Sequence, residues 1–383
     1  MVRTIMNKRE IAEIKRRINP EKSNIERIYT CYVNGAGEII TMTDESVGIL
    51  SNEEKESYFS ILRKAMGGTL GKNLINLSFD TSVVASSEEH RLLSELRKTG
   101  LKDEALREKF FRAMVPSISM DGGNYLILLA LDRYDVPHRG KDGIYDAGSS
   151  DEVFTYLLCG VCPVKNGKAE LGYDSDEKRF SFTAAGSVVA APEIGFLYPA
   201  FDGRSANLYG ALLFSKSSKE NHSEFADTVF KALTPMAPAA QSDTFVAAIN
   251  ETISEEADFS VIQNIHEQIS TVIEAHKESK SPEQLTMTIE QIGNVLLNCG
   301  IENSKVEQFE AKCAAEFGDD ADLVPSNLLN TKKLELQLPE IKITCNPMFS
   351  NLIQTKLING KKYILISADS GVEVNGIPIN IDK

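Results

Sequence analysis

Two apolar runs constrain this chain most: Tyr125–Leu131 and Val153–Val164. They are too long in apolar residues for strands with one wet face, and they read as strands covered on both faces. Helix-period segments flank them, at Lys8–Arg17, from Ser51 to about Met66, from Ser86 and over Leu101–Met114. Shorter strands are expected at Arg27–Val33, Glu38–Thr43, Asn73–Phe79, Arg179–Thr183, Ser187–Ala190 and Asn207–Ser215, with a helix beginning at Asn221. Helices and strands do not alternate as in βαβ units. The pattern therefore predicts an α+β fold with a mixed or antiparallel sheet.

Three parts are expected. Residues 1–233 form the α+β domain, residues 234–330 an acidic helical segment, and residues 331–383 a small β meander of hairpins. Thr234–Ala240 is the linker between the first two. In the second part, Ile262, Ile265, Ile269, Val272, Ile273 and His276 trace one helix face, which makes His276 a packed core histidine. Thr288/Gln291 and Ser304/Glu307 read as capping boxes of an αα-hairpin, with Gly300 ending its first helix. In the third part, Leu334, Leu336 and Leu338 alternate in one phase, and Ile341, Ile343 and Cys345 in the other, across Pro339. Asn359-Gly360 and Asn375-Gly376 are hairpin turns.

Charge is unevenly placed along a chain of net charge −14. Residues 1–30 carry eight basic against four acidic side chains, and residues 251–330 carry sixteen acids against four lysines. An acidic surface repels phosphate backbones, so general nucleic-acid binding is disfavoured. The opening helix reads either as a surface helix, with Ile11, Ile14 and Ile18 as its stripe, or as a basic arm for RNA or an acidic partner. No apolar stretch reaches the roughly 18 residues needed to span a bilayer. The first residues lack the apolar core of a secretion signal, and six cysteines in so long a chain suggest free thiols in a reducing cytoplasm.

The motifs that carry chemistry elsewhere fall short here. Gly67-Gly68-Thr69-Leu70-Gly71-Lys72-Asn73 approaches a P-loop, but its glycine spacing is one residue short and Asn73 replaces the magnesium-binding hydroxyl. A glycine turn after a helix is the expected alternative. His266-Glu267 begins a zinc-protease pattern, but Ser270 stands where the second histidine belongs. Cys159-Gly160-Val161-Cys162 lies in a strand-like run, where residues three apart face opposite sides. It reads as structural cysteines, with a redox or metal pair as the alternative. No metal or cofactor is expected.

One stretch does concentrate polar groups in apolar surroundings. Glu193, Asp202, Arg204 and Asn207 fall within Ala191–Asn207, and His222 follows. Asp132, Asp135 and His138, after the Tyr125 strand, are expected near the same place. Such groups are costly to bury unless paired or bonded to a ligand. An internal Asp202–Arg204 turn with Asn221 capping the next helix satisfies them. A polar ligand site of Glu193, Asp202, Arg204, Asn207 and His222 does so too. For Arg204 the expected partner is Asp202, or at greater distance Glu193.

Several segments together carry a resemblance. These are Met6–Ile11, Cys31–Asn34, Leu128–Ala130 with Tyr134–Pro137, Ser150–Phe154, Cys162–Val164, Pro199–Arg204, Glu220–His222, Lys362–Ile366 and Gly371–Gly376. They resemble the bacterial domain-of-unknown-function family catalogued as 4317, over residues 6–379. Residues 1–5 fall outside it, which marks Met6 as an expected natural start. The resemblance implies a bacterial cytoplasmic protein and carries no catalytic residue. A second likeness, in the order of parts alone, is to bacterial nucleoid-associated proteins of the thirty-seven-kilodalton type. Three functional readings follow. The first is a non-enzymatic interaction or regulatory protein with a protein partner or small polar ligand. The others are a hydrolase-like enzyme using Asp202, Arg204, Glu193 and His222, and a nucleoid-associated protein.

Overall fold

The computed structural model describes residues 5–139, 145–166, 170–174, 179–183, 186–253 and 258–381, and the side chains within them except at 138–151 and 166–185. The side chain of His138 therefore lies outside the described residues. The chain divides into two compact units, Met1–Pro238 with Pro282–Gln284, and Ala239–Ser281 with Leu285–Lys383.

The first unit opens with α1 (Lys8–Arg17), β1 (Arg27–Val33), β2 (Ile39–Ser46), α2 (Asn52–Lys64), β3 (Leu74–Ser78), α3 (Thr81–Ser86), α4 (Glu88–Lys98) and α5 (Glu104–Met114). It continues with β4 (Tyr125–Arg139), β5 (Tyr145–Asn166), β6 (Glu170–Asp174), β7 (Arg179–Thr183), β8 (Ser187–Val189) and β9 (Ile194–Tyr198). Then come β10 (Ala200–Asp202), β11 (Ser205–Asn207), β12 (Gly210–Ser215) and α6 (Ser223–Phe230). One sheet runs β2-β1-β4-β5-β9-β12-β3, with β8 also on β5, and each of these pairs is antiparallel. The fold is α+β with an antiparallel sheet.

Both faces of that sheet are covered, which explains the unbroken apolar runs. Ile127, Leu129 and Leu131 on β4, with Leu157, Cys159 and Val161 on β5, point to a core shared with α4, α5 and α6. Leu128 and Ala130, with Tyr156, Leu158 and Cys162, point to a second core shared with α1 and α2. Cys159 and Cys162 thus lie on opposite faces. Burial pushes the Cys159 thiol well up and the Cys162 thiol up to about 12. Against the second face, α2 comes close because Gly160 and Gly195 are cross-strand partners. A Cβ on Gly195 would stand 2.8 Å from the Ala65 methyl.

The opening helix is not a free basic arm. Met6, Ile14 and Ile18 are fully buried and Ile11 nearly so, all in the second core. Asn7 caps the helix in a reciprocal box with Glu10. Its basic residues are spaced around an apolar stripe, and that stripe needed a sheet face to cover.

The second unit holds α7 (Pro238–Ile253), α8 (Phe259–Glu278), α9 (Ile289–Asn298), α10 (Asn303–Phe317) and α11 (Pro325–Leu328), then three hairpins. These are β13 (Leu334–Gln337) with β14 (Lys342–Cys345), β15 (Ile353–Ile358) with β16 (Lys361–Ile366), and β17 (Val372–Val374) with β18 (Ile377–Ile379). Asn359 and Gly360, like Asn375 and Gly376, have positive φ, as two-residue hairpin turns require. Thr288 caps α9 in a box with Gln291. The Ser304 box does not form. The chain turns tightly at Gly300 to bury Ile301, so α10 starts at Asn303 with Glu302 at its N-cap. Along α8, Ile265, Ile269 and Ile273 are buried, and the packed histidine is His266 rather than His276. The His266 Nε2 lies 2.9 Å from the Asn330 carbonyl, while His276, near the helix end, is half-exposed.

Candidate functional site

The residues expected to share one pocket lie in two places. The cause is β9: Glu193 precedes it and Asp202 follows it, across five extended residues. At about 3.3 Å per residue the strand holds its two ends roughly 16 Å apart.

At one end, β10 and β11 form a hairpin whose turn is Gly203-Arg204, with φ of 59° and 65°. The opening helix grips this turn. Glu10 and Glu13 are three residues apart, so they share a helix face. Glu10 Oε1 accepts from the Gly203 N–H at 2.8 Å, and Oε2 from the Asn7 N–H at 2.9 Å. Arg204 donates to both carboxylate oxygens of Glu13 at 2.8 Å and to the Pro137 carbonyl at 3.0 Å. The Tyr134 hydroxyl also donates to Glu13, at 2.7 Å. Asn207 donates to Asp202 at 3.0 Å, across the same hairpin. Burial raises the Glu10 carboxyl above its ordinary range, against the two N–H groups that favour its charge.

Behind this turn, Asp132 is fully buried. It accepts from the Asn24 N–H at 2.7 Å, the Arg133 N–H at 2.8 Å and the Tyr156 hydroxyl at 2.6 Å. Arg17 lies 3.7 Å from it and stacks 4.2 Å from the Tyr134 ring centre. All four carboxylate oxygens of Glu10 and Glu13 accept hydrogen bonds from the protein. The arrangement locks α1 to the β10–β11 hairpin and to β4, and every oxygen of the two carboxylates is engaged within the protein.

At the other end, Glu193 pairs with Lys216 at 2.6 Å. His222 is the N-cap residue of α6 at φ 49°, with Glu220 3.9 Å away. Burial lowers its pKa, against the pull of Glu220 and Glu193. Asn221 does not cap α6, since its side-chain amide donates to the Pro235 carbonyl. Among the described residues, no group of three or more His, Cys, Asp or Glu is arranged to hold a metal ion. No described helix is long and apolar enough to cross a membrane.

A third surface lies on the C-terminal hairpins. Leu338, Ile341 and Ile343 of one hairpin and Thr355, Leu357 and Tyr363 of the next line a groove of about 620 Å³. Leu357 is 70% exposed and Ile341 57%. Lys356 and Lys362 stand in the same groove.

Residues 6–377 match the model of the family described as domain of unknown function (DUF4317). The chain belongs to that family. No curated protein matches it. In this DUF4317 member, sequence reasoning found Arg204 and missed its partner. Glu13 lies 191 positions away, and the one available signal was a pair of acids at helical spacing on an otherwise basic opening helix. The hairpin groove was missed for another reason. Alternation marks which residues share a face, but not whether a second layer covers it.

Proposed function

We propose that this protein is a non-enzymatic interaction or regulatory protein that docks a protein partner on its C-terminal hairpins. The observation that carries the reading is the apolar surface of residues 341–381. Of the 22 large apolar side chains exposed among the described residues, 12 fall there. Single exposed apolar residues are ordinary, but a concentration of them marks an interaction surface. The hairpins are two-stranded, so their edges offer unpaired backbone groups for an added strand.

Charge narrows the partner. Residues 331–383 hold seven lysines against five acids, a net +2, in a chain of net −14. Lys356 and Lys362 in the groove suit an acidic segment with apolar side chains. The setting we propose is the bacterial cytoplasm, supported by the family resemblance and by six free thiols. The hydrolase reading draws less support, because the groups around Arg204 bind one another. Nucleoid association runs against the acidic charge.

The test is site-specific photo-cross-linking of the full chain in bacterial cells, with the photoreactive residue at Leu357 and, as a control, at exposed Val246. The expected result is a discrete adduct with one acidic protein from position 357 only. A peptide from its cross-linked segment should bind the wild type and not Leu357→Asp. No adduct, or the same products from both positions, would overturn the reading.

A further inference from the structure

The glycine segment that falls short of a P-loop lies in a cleft of about 480 Å³ within the first unit. Clefts that take small molecules run from about 300 to 1,000 Å³. Gly67 and Gly68 form part of its lining, together with Ala191, Pro192 and Phe214. Both glycines are required where they stand. A Cβ on Gly68, at φ 99°, would fall 2.4 Å from the Asn73 side chain, and one on Gly67 would fall 2.9 Å from the Lys64 carbonyl. The lining there is bare backbone, and among the described residues the Gly68 N–H has no hydrogen-bond partner.

Four cations from three parts of the chain line the cleft: Lys15 of α1, Arg63 and Lys64 of α2, and Lys216 after β12. Arg63 pairs with Glu56 and donates to the Ile18 carbonyl, and Lys216 pairs with Glu193. Lys15 and Lys64 have no carboxylate within 4 Å among the described residues. A helix C-terminus favours cations, which accounts for Arg63 and Lys64 in the last turn of α2. The same holds for Lys15 in the last turn of α1, but Lys15 is half-buried and its ammonium would lie 3.7 Å from a Cβ on Gly67, so the ends of two helices bring their cations to one cleft. The cleft therefore carries two uncompensated positive charges in a chain of net −14. A phosphate monoester supplies a matching charge of about −1.5 to −2 at neutral pH.

We propose that this cleft binds a phosphorylated small molecule with an apolar body, of the nucleotide class. The phosphate meets Lys15, Lys64 and the Gly68 N–H, and the body lies along Pro192 and Phe214. What the segment shares with a P-loop is glycine backbone and lysine charge, but the lysines come from other elements. The assignment does not depend on the hairpin surface, and each can fail without the other.

Isothermal titration of the full chain with adenosine and guanosine mono-, di- and triphosphates tests it, with adenosine, inorganic phosphate and heparin as comparison probes. One nucleotide per chain should bind. Lys15→Glu and Lys64→Glu, each checked for an unchanged melting point, should each weaken binding about tenfold or more. Lys332→Glu with Lys333→Glu should leave it unchanged. No binding by any nucleotide, binding that survives both reversals, phosphate binding as tightly as the best nucleotide, or binding by heparin alone would overturn the proposal.

Discussion

Leu129 on β4 and Leu357 on β15 are both leucines in antiparallel pairs, yet Leu129 is fully buried and Leu357 is 70% exposed. The difference lies in what stands over them. The sheet of the first unit has helices on each face, so its side chains divide between two cores. The hairpins are two strands each, and a lone hairpin is marginal in water without a packed face. The β15–β16 hairpin is held at its root instead. Ile353 is buried, and Gln263 of α8 donates to Ser350 at 2.9 Å. Rooted but uncovered strands suit a surface meant for something else, and covered ones suit stability.

That contrast breaks first, and most severely, at the opening helix. Deleting residues 1–18 removes Met6, Ile11, Ile14 and Ile18 from the second core. At about 1.5–3 kcal/mol each, the loss is roughly 6–12 kcal/mol. Whole domains are stable by only about 5–15 kcal/mol. The truncated chain should therefore be insoluble or unfolded by circular dichroism. A soluble, cooperatively melting product would return α1 to the role of a surface arm.

A smaller effect is expected at the turn that α1 grips. Arg204→Ala removes both bonds to Glu13 and one to the Pro137 carbonyl. Arg204 and Glu13 are each about one-fifth exposed, so water reaches part of the stranded carboxylate. Urea denaturation should show a loss of about 1.5–3 kcal/mol with the fold intact. A loss near zero would mean that the lock does not hold the helix.

These elements also show what could be read in advance. The bounds of α1 follow from its isoleucine spacing and from Asn19-Pro20. The two-sided burial of β4 and β5 follows from their apolar runs, and the hairpins at Asn359 and Asn375 from turn chemistry, because each signal is local. What was hidden is relational. Glu13 and Arg204 meet only because the chain folds α1 over the turn after β10. Glu193 and Arg204, eleven positions apart in sequence, separate because β9 runs straight between them. Lys15, Lys64 and Lys216 form one cleft through three unrelated segments. Asn221 had the chemistry of a cap but turned to the Pro235 carbonyl, a competition that no local pattern reveals.

The most direct measurement is side-by-side denaturation of the wild type and the double variant Leu357→Asp with Tyr363→Asp. Both residues line the hairpin groove and stand exposed, by 70% and 42%, and the strand register sets their side chains on opposite faces of the hairpin. If the groove is an uncovered docking surface, the variant should unfold at the same midpoint, within about 0.5–1 kcal/mol of the wild type. A loss of several kcal/mol would show that the groove is core, and would contradict the account.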